Sequence, residues 1–298
     1  MSHTQSKKQA PKEQQSQDNM ETWTQVIKPH GHLFDLRFNE LLRYRDLISL
    51  FVRRDFVAQY KQTVLGPLWH VIQPLLVTVV FTIVFGKIAK ISTDGVPPFI
   101  FYLSGTIIWT YFASVLTDTS ATFTQNAHIF GKVYFPRLVT PISTSISKLI
   151  AFAIQFLMFA GFLLYYKAAG AAISPNLWII SVPILLVLMA MLGLGTGLLI
   201  TAMTTRYRDL AVLVTFGVQL WMYASPVIYP ISSLPEKWQF WASLNPAAPI
   251  IETFRYAFLG SGSASFTLLA QSVVMISALF ITSLIVFNRV ERTFADTI

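Results

Sequence analysis

Residues 62–86, 95–117, 149–166, 168–205, 210–235 and 256–288 contain no Asp, Glu, Lys or Arg. The hydrocarbon core of a bilayer is about 30 Å thick and asks for about 20 apolar residues at 1.5 Å each. Six such stretches predict six transmembrane helices. Within 168–205, Pro175 and Pro183 fall early, so one helix is expected from about Asn176 to Thr204; two helices there are the alternative and would place the termini on opposite sides. Only 12% of the 298 residues are charged and 54% are hydrophobic. A soluble domain carries about 25% charged residues, so this chain cannot cover a water-facing surface. The expected fold class is an all-α polytopic membrane protein.

Basic residues set the expected orientation. With the N-terminus inside, the inner segments hold ten Lys and Arg in 1–61, then Lys132, Arg137, Lys148, Arg206, Arg208, Arg289 and Arg292. The outer loops hold only Lys87, Lys90, Lys167, Lys237 and Arg255. That bias places both termini in the cytoplasm. It also accounts for the net charge of +8, so no nucleic-acid partner is expected. With no cysteine, disulfides and thiolate metal sites are excluded.

Residues 1–20 are polar, Gln-rich and aperiodic, which predicts a disordered tail with no cleavable signal. From Glu40 to Tyr60 the pattern turns helical. Leu41, Tyr44, Ile48, Phe51, Val52 and Phe56 share one face; Arg43, Asp46, Arg53 and Arg54 lie opposite, while Arg45 and Asp55 interrupt the apolar side. Such a helix either packs on other cytosolic protein or lies in the membrane plane with its bases toward the headgroups. The uncharged span that follows within a few residues favours the second. The chain must then turn through about a right angle, and Gly66 and Pro67 sit at the seam: Gly for backbone freedom, Pro for the first turn of the next helix. A kinked continuous helix is the alternative.

Two connections stand out. The inner loop 118–140 carries a short helical pattern, Phe123, Ala127 and Phe130, that stops at Gly131. It suits either a partner-docking element or a plain connector. Residues 225–260 carry five prolines and two short apolar runs, of which Ala247 to Leu259 is too short to span. Irregular backbone at membrane depth persists only when buried in protein or lining a wet cavity, so an outer gate or a surface cap is expected here. Trp238 and Trp241 suit an interfacial belt, and Glu252 can pair with Arg255 at i,i+3.

Chemistry-bearing motifs are missing. There is no phosphate loop, HExxH, GxSxG or EF-hand pattern. In GLGTGL (193–198), Gly193 and Gly197 suit close helix packing rather than a dinucleotide. Asp118 and Lys148 fall at span ends, and His70 suits packing better than proton relay. The residues describe a conduit without a motor. Trp69, Trp109, Tyr111, Trp221 and Tyr223 lie within spans; they are either core or passage lining, where rings hold sugar faces weakly.

The segments RRDFVAQYKQTVLGPLWHVIQPLL, KVYFPRLVTP, RYRD, SPVIYP and LNPAAPIIETFRYAFLG together resemble the permease subunit of ABC-2-type polysaccharide exporters. These are the Wzm-like proteins of O-antigen export, related to capsule and teichoic-acid permeases. The likeness runs from about Leu41 to Arg289. It implies a homodimer in the bacterial inner membrane, paired with two Wzt-like ATPase subunits that carry ATP and Mg; no cofactor would sit on this chain. The substrate would be a lipid-linked glycan crossing at the dimer interface. The resemblance divides the chain into a tail (1–34), an interface helix with its elbow (35–66), a transmembrane domain (67–290) and a cytosolic C-terminus (291–298). It implies ATPase coupling through Phe123, Asn126, Phe130 and Tyr134, with Arg206 and Asp209 as a second contact. It also implies two re-entrant gate helices between spans five and six, marked by Trp238, Trp241, Asn245, Pro246, Glu252 and Arg255. The alternative is an ABC-2 exporter of teichoic acid, capsule or a small-molecule drug. A membrane transferase would need clustered carboxylates or His, which the sequence does not show.

Overall fold

The computed structural model describes residues 43–61, 63–130, 132–133, 135–204 and 210–295. The expected tail 1–34, the start of the interface helix before Arg43, Tyr134, Arg206, Asp209 and the last residues 296–298 lie outside that set. Among the described residues every regular element is helical.

The first helix, α1 (Arg45–Tyr60), opens with Asp46 in its first turn, where a carboxylate favours the positive end of the helix dipole. It ends at Lys61, whose backbone is extended. The elbow follows as a 3-10 turn, Gly66–Leu68, leading into α2 (Trp69–Phe81) and a π-helical continuation, Thr82–Ile88. Gly66 has φ +48°, a left-handed conformation that a side chain resists. A kinked continuous helix is therefore not what forms; the chain stops, turns and restarts.

Next come α3 (Pro98–Ser120), the short α4 (Thr122–Phe130), α5 (Val139–Ala168) and α6 (Val182–Thr204). A 3-10 turn, Leu177–Ser181, precedes α6, and Asn176 caps it by accepting from the Trp178 N–H at 3.0 Å. The last elements are α7 (Leu210–Tyr223), α8 (Glu236–Ser243), α9 (Ala248–Leu259) and α10 (Phe266–Ala295). Gly260, in the left-handed region at φ +74°, ends α9.

Helix α3 forms the centre. Of its membrane-length window 78% is buried, against 17–33% for the other long helices, and Ser104, Thr106 and Thr119 are buried with it. The more polar span is the enclosed one, which keeps its hydroxyls among protein groups, while the more apolar helices leave side chains open on the outside of the bundle. Helix α6 approaches α3 so closely that a Cβ on Gly197 would lie 2.6 Å from the Thr119 Cβ and 2.9 Å from the Leu116 carbonyl oxygen. Gly193 meets Val115 and the Phe112 carbonyl in the same way. The four-residue spacing thus puts both glycines on one seam, and a side chain on either would push the helices apart.

Among the described residues, five helices are long and apolar enough to cross a membrane. The stretch 210–235, expected as one span, departs from that reading. Its helix α7 has 14 residues, about 21 Å, and stops at Tyr223. Pro226 and Pro230 carry no backbone N–H, so the helical ladder cannot continue through 224–230.

Candidate functional site

Two sites lie toward opposite ends of α3. Helix α4 follows its C-terminal end, whereas α9 meets it at Phe101 and Gly105, near its N-terminal end.

At the first end, aromatic rings build a continuous path. Phe123 of α4 stacks on Phe287 of α10 at 5.2 Å with planes 5° apart. It also meets Phe130 edge-on at 5.9 Å, and Phe130 lies 5.6 Å from Phe135. Phe135 in turn meets Phe51 of α1 at 5.6 Å, and the Arg54 guanidinium covers Phe51 at 4.4 Å. Val139 closes this second cluster from the start of α5. One chain of contacts therefore joins α4, α1, α5 and α10.

Three of the expected coupling residues lie in or beside this path. Phe123 is 2% exposed and Phe130 half-buried, so both rings hold α4 to the protein rather than reaching outward. Asn126 donates from Nδ2 to the Thr122 carbonyl at 3.0 Å, along its own helix. The face of α4 left open carries Thr124, Gln125, Ala127 and His128.

The elbow holds a feature that sequence reading missed. The Tyr60 hydroxyl and His70 Nε2 hydrogen-bond across the turn, and their rings meet edge-on at 5.6 Å. Phe56 packs on Tyr60 at 4.6 Å, and the Thr63 hydroxyl donates to the Tyr60 carbonyl at 2.9 Å. Burial lifts the Tyr60 pKa above its ordinary value near 10, so the hydroxyl stays protonated and able to donate. Nearby, Lys148 of α5 pairs with Asp118 of α3 at 2.7 Å, joining two span ends.

The expected passage aromatics separate into two groups. Trp69 and Tyr223 are exposed at 52% and 45%. Trp109 and Tyr111, open to either a core or a passage role, are only 4% and 3% exposed; they sit on the enclosed central helix and face its neighbours. The Tyr111 hydroxyl lies 3.5 Å from Ser145 Oγ, and Trp109 meets Trp221 edge-on at 6.2 Å. Trp221 is half-buried against Phe112 and donates from Nε1 to Asn245 Oδ1 at 3.1 Å.

At the other end, α8 presents Trp238 and Trp241, each 60% exposed, while α9 is almost wholly buried. Glu252 and Arg255 form the expected pair, Nη1 to Oε1 at 3.1 Å. Arg255 is not a loop residue, however: it is 0% exposed, with its guanidinium 3.8 Å above the Phe101 ring. Asn245 reaches back to Ser225 Oγ at 2.8 Å, and Pro246 beside it is half-buried. Its partners lie on α7 and just beyond, about 20 residues earlier in the chain; spacing alone gave no sign of them.

A helical membrane body, a short helix locked to an in-turned helix at one end and a folded-back hairpin at the other define a membrane transport protein of the permease type. Residues 46–259 match the family model for the ABC-2 type transporter, and this chain belongs to that family. It is 27% identical over 252 residues to the O-antigen export system permease protein RfbA of Klebsiella pneumoniae, covering 84% of this chain and 94% of that one. Against RfbA of Myxococcus xanthus it is 25% identical over 265 residues, 87% and 98% of the two chains. The capsule polysaccharide export inner-membrane protein CtrC of Neisseria meningitidis matches at 22% over 243 residues, 76% and 84% of the two.

Proposed function

We propose that this chain is the membrane-spanning permease subunit of an ATP-driven exporter, moving a lipid-linked polysaccharide of the O-antigen kind across the bacterial inner membrane. One observation carries the reading: the likeness to O-antigen export permeases spans nearly their whole length rather than a single motif. The match to CtrC keeps capsule polysaccharide as the second reading.

In this reading two copies pair, and two ATPase subunits supply the work with their own ATP and Mg; this chain holds no cofactor and catalyses no reaction. Both termini face the cytoplasm, and α7 with residues 224–230 counts as the fifth of six crossings, a broken one. The tail 1–34 and the segment 291–298 are cytosolic, and 67–290 is the transmembrane domain. The open face of α4 meets the ATPase; Tyr134 belongs to the same contact, and Arg206 and Asp209 to a second one. Movement of that face reaches α1 through Phe130, Phe135 and Phe51, and the elbow at Gly66 and Pro67 hands it to α2. Trp69, Trp221 and Tyr223 border the gap between copies, and the α8–α9 hairpin covers the exit.

The test is reconstitution with the partner ATPase in sealed vesicles loaded with lipid-linked glycan. ATP should drive glycan to the opposite face. Transport of a small hydrophobic drug but no glycan would overturn the reading.

A further inference from the structure

The helical bonding of α7 ends with the Ala224 N–H to Leu220 and the Ser225 N–H to Met222; residues 226–230 then run on beside α3 outside any helix, and Ser225, Pro226, Val227, Ile228 and Pro230 are buried. Backbone carbonyls freed at such a place need donors from elsewhere. Arg255 supplies two of them: its Nη2 donates to the Pro226 carbonyl at 3.0 Å and to the Val227 carbonyl at 3.3 Å. Its other terminal nitrogen is held by Glu252, whose Oε1 also accepts from the Ile231 N–H at 3.4 Å. The remaining face of the guanidinium rests on Phe101. Asn245 completes the set, joining the end of α7 through Trp221 and the broken segment through Ser225.

These bonds also tie the segment to α3. A Cβ on Gly105 would lie 3.0 Å from both Arg255 Nη2 and the Val227 carbonyl oxygen, so α3 leaves no gap there. On the outside, Ser232 Oγ donates to Asp94, in the loop that leads into α3, at 2.9 Å. The buried segment is thus fastened against α3, and the stretch that leads into α8 is fastened to the loop that precedes α3. A planar five-donor cation suits this work, because one side chain can serve two carbonyls and a carboxylate together.

We propose that Arg255 and Asn245 are positioning residues that hold 224–230 as the fixed, non-helical end of the fifth crossing. They lock the α8–α9 hairpin to α3, so the exit opens between two copies of the chain and not by the hairpin swinging away. The inference rests on the export reading for its transport consequence, but the clamp itself is measurable without transport.

Two measurements on the full complex decide it. The first is amide hydrogen exchange over 227–231 in Arg255→Met/Glu252→Gln, a pair change that leaves no buried charge unpartnered. Exchange there should rise at least tenfold while α5 stays as protected as before; unchanged exchange overturns the clamp. The second uses Asp94→Cys/Ser232→Cys in this cysteine-free chain, which joins the hairpin to the loop before α3 on oxidation. Export should stay within twofold of the reduced protein. A tenfold fall reversed by reductant overturns the fixed hairpin. Should the reduced pair move no polysaccharide at all, the export reading fails, and the exchange result still decides the clamp. Should the Arg255 pair change prevent assembly, the cross-link decides.

Discussion

Phe51, in the helix before the elbow, and Phe135, in the segment entering α5, meet edge to face at 5.6 Å with planes 76° apart. Both are almost fully buried, and Phe130 of α4 reaches the same ring from the other side. Two helices on either side of the first two long helices are thereby held as one unit at one end of the bundle.

Phe135→Ala removes the middle ring of that path. A buried Phe→Ala change costs about 3–5 kcal/mol. The expected result is faster amide exchange in α1 with α6 unchanged, and a steep loss of export while the partner ATPase still co-purifies. Phe135→Leu, which keeps bulk without the edge contact, should fall between the two.

The elbow is tested by the residue that only glycine suits. Gly66→Ala places a Cβ on a backbone at φ +48°, at a cost of about 1–2 kcal/mol. With Pro67→Ala added, export should slow severalfold in an assembled complex, as read by glycan reaching the cell surface. Unchanged export would remove the elbow from the path of motion.

Tyr60→Phe isolates the hydrogen bond to His70, since the ring can still pack on Phe56. A single such bond is worth about 0.5–1.5 kcal/mol. Exchange at the C-terminal end of α1 should rise by up to about tenfold, with fold and assembly intact.

Glycine substitutions should sort by contact. Gly197→Val forces a side chain against Thr119 and the Leu116 backbone, and should sharply lower the yield of folded protein in detergent. A Cβ on Gly161 would meet nothing within 4 Å, so Gly161→Ala should be neutral or raise the melting temperature. Alanine is the better helix former by about 1 kcal/mol.

Lys148 and Asp118 should show coupling. Each single change, Lys148→Met or Asp118→Asn, leaves a partly buried partner alone. The double change should destabilise by less than the sum, with a coupling of about 1 kcal/mol in a thermal double-mutant cycle.

The membrane class was plain from the chain alone, because the absence of charge over a bilayer's thickness is a property of consecutive residues. The elbow was legible for the same reason: Gly66 and Pro67 are local signals whose meaning depends on nearest neighbours. The seam of Gly193 and Gly197 could be suspected from their spacing, although not its partner. Helix α7 misled, since lack of charge in 210–235 says nothing about where hydrogen bonding stops, and Pro226 and Pro230 lie within that run.

Tertiary structure alone decided the rest. Whether an intramembrane ring is core or surface depends on what surrounds its helix; α3 is enclosed, so Trp109 and Tyr111 turn inward while Trp69 on α2 stays exposed. An aromatic on a short loop helix gives no sign of which neighbour will take it; for Phe123 that neighbour is Phe287. Arg255 counted as a loop cation until folding brought two unpaired carbonyls and a carboxylate around it. Local order follows from covalent neighbours, whereas burial and pairing follow from residues far apart in the chain that only packing brings together.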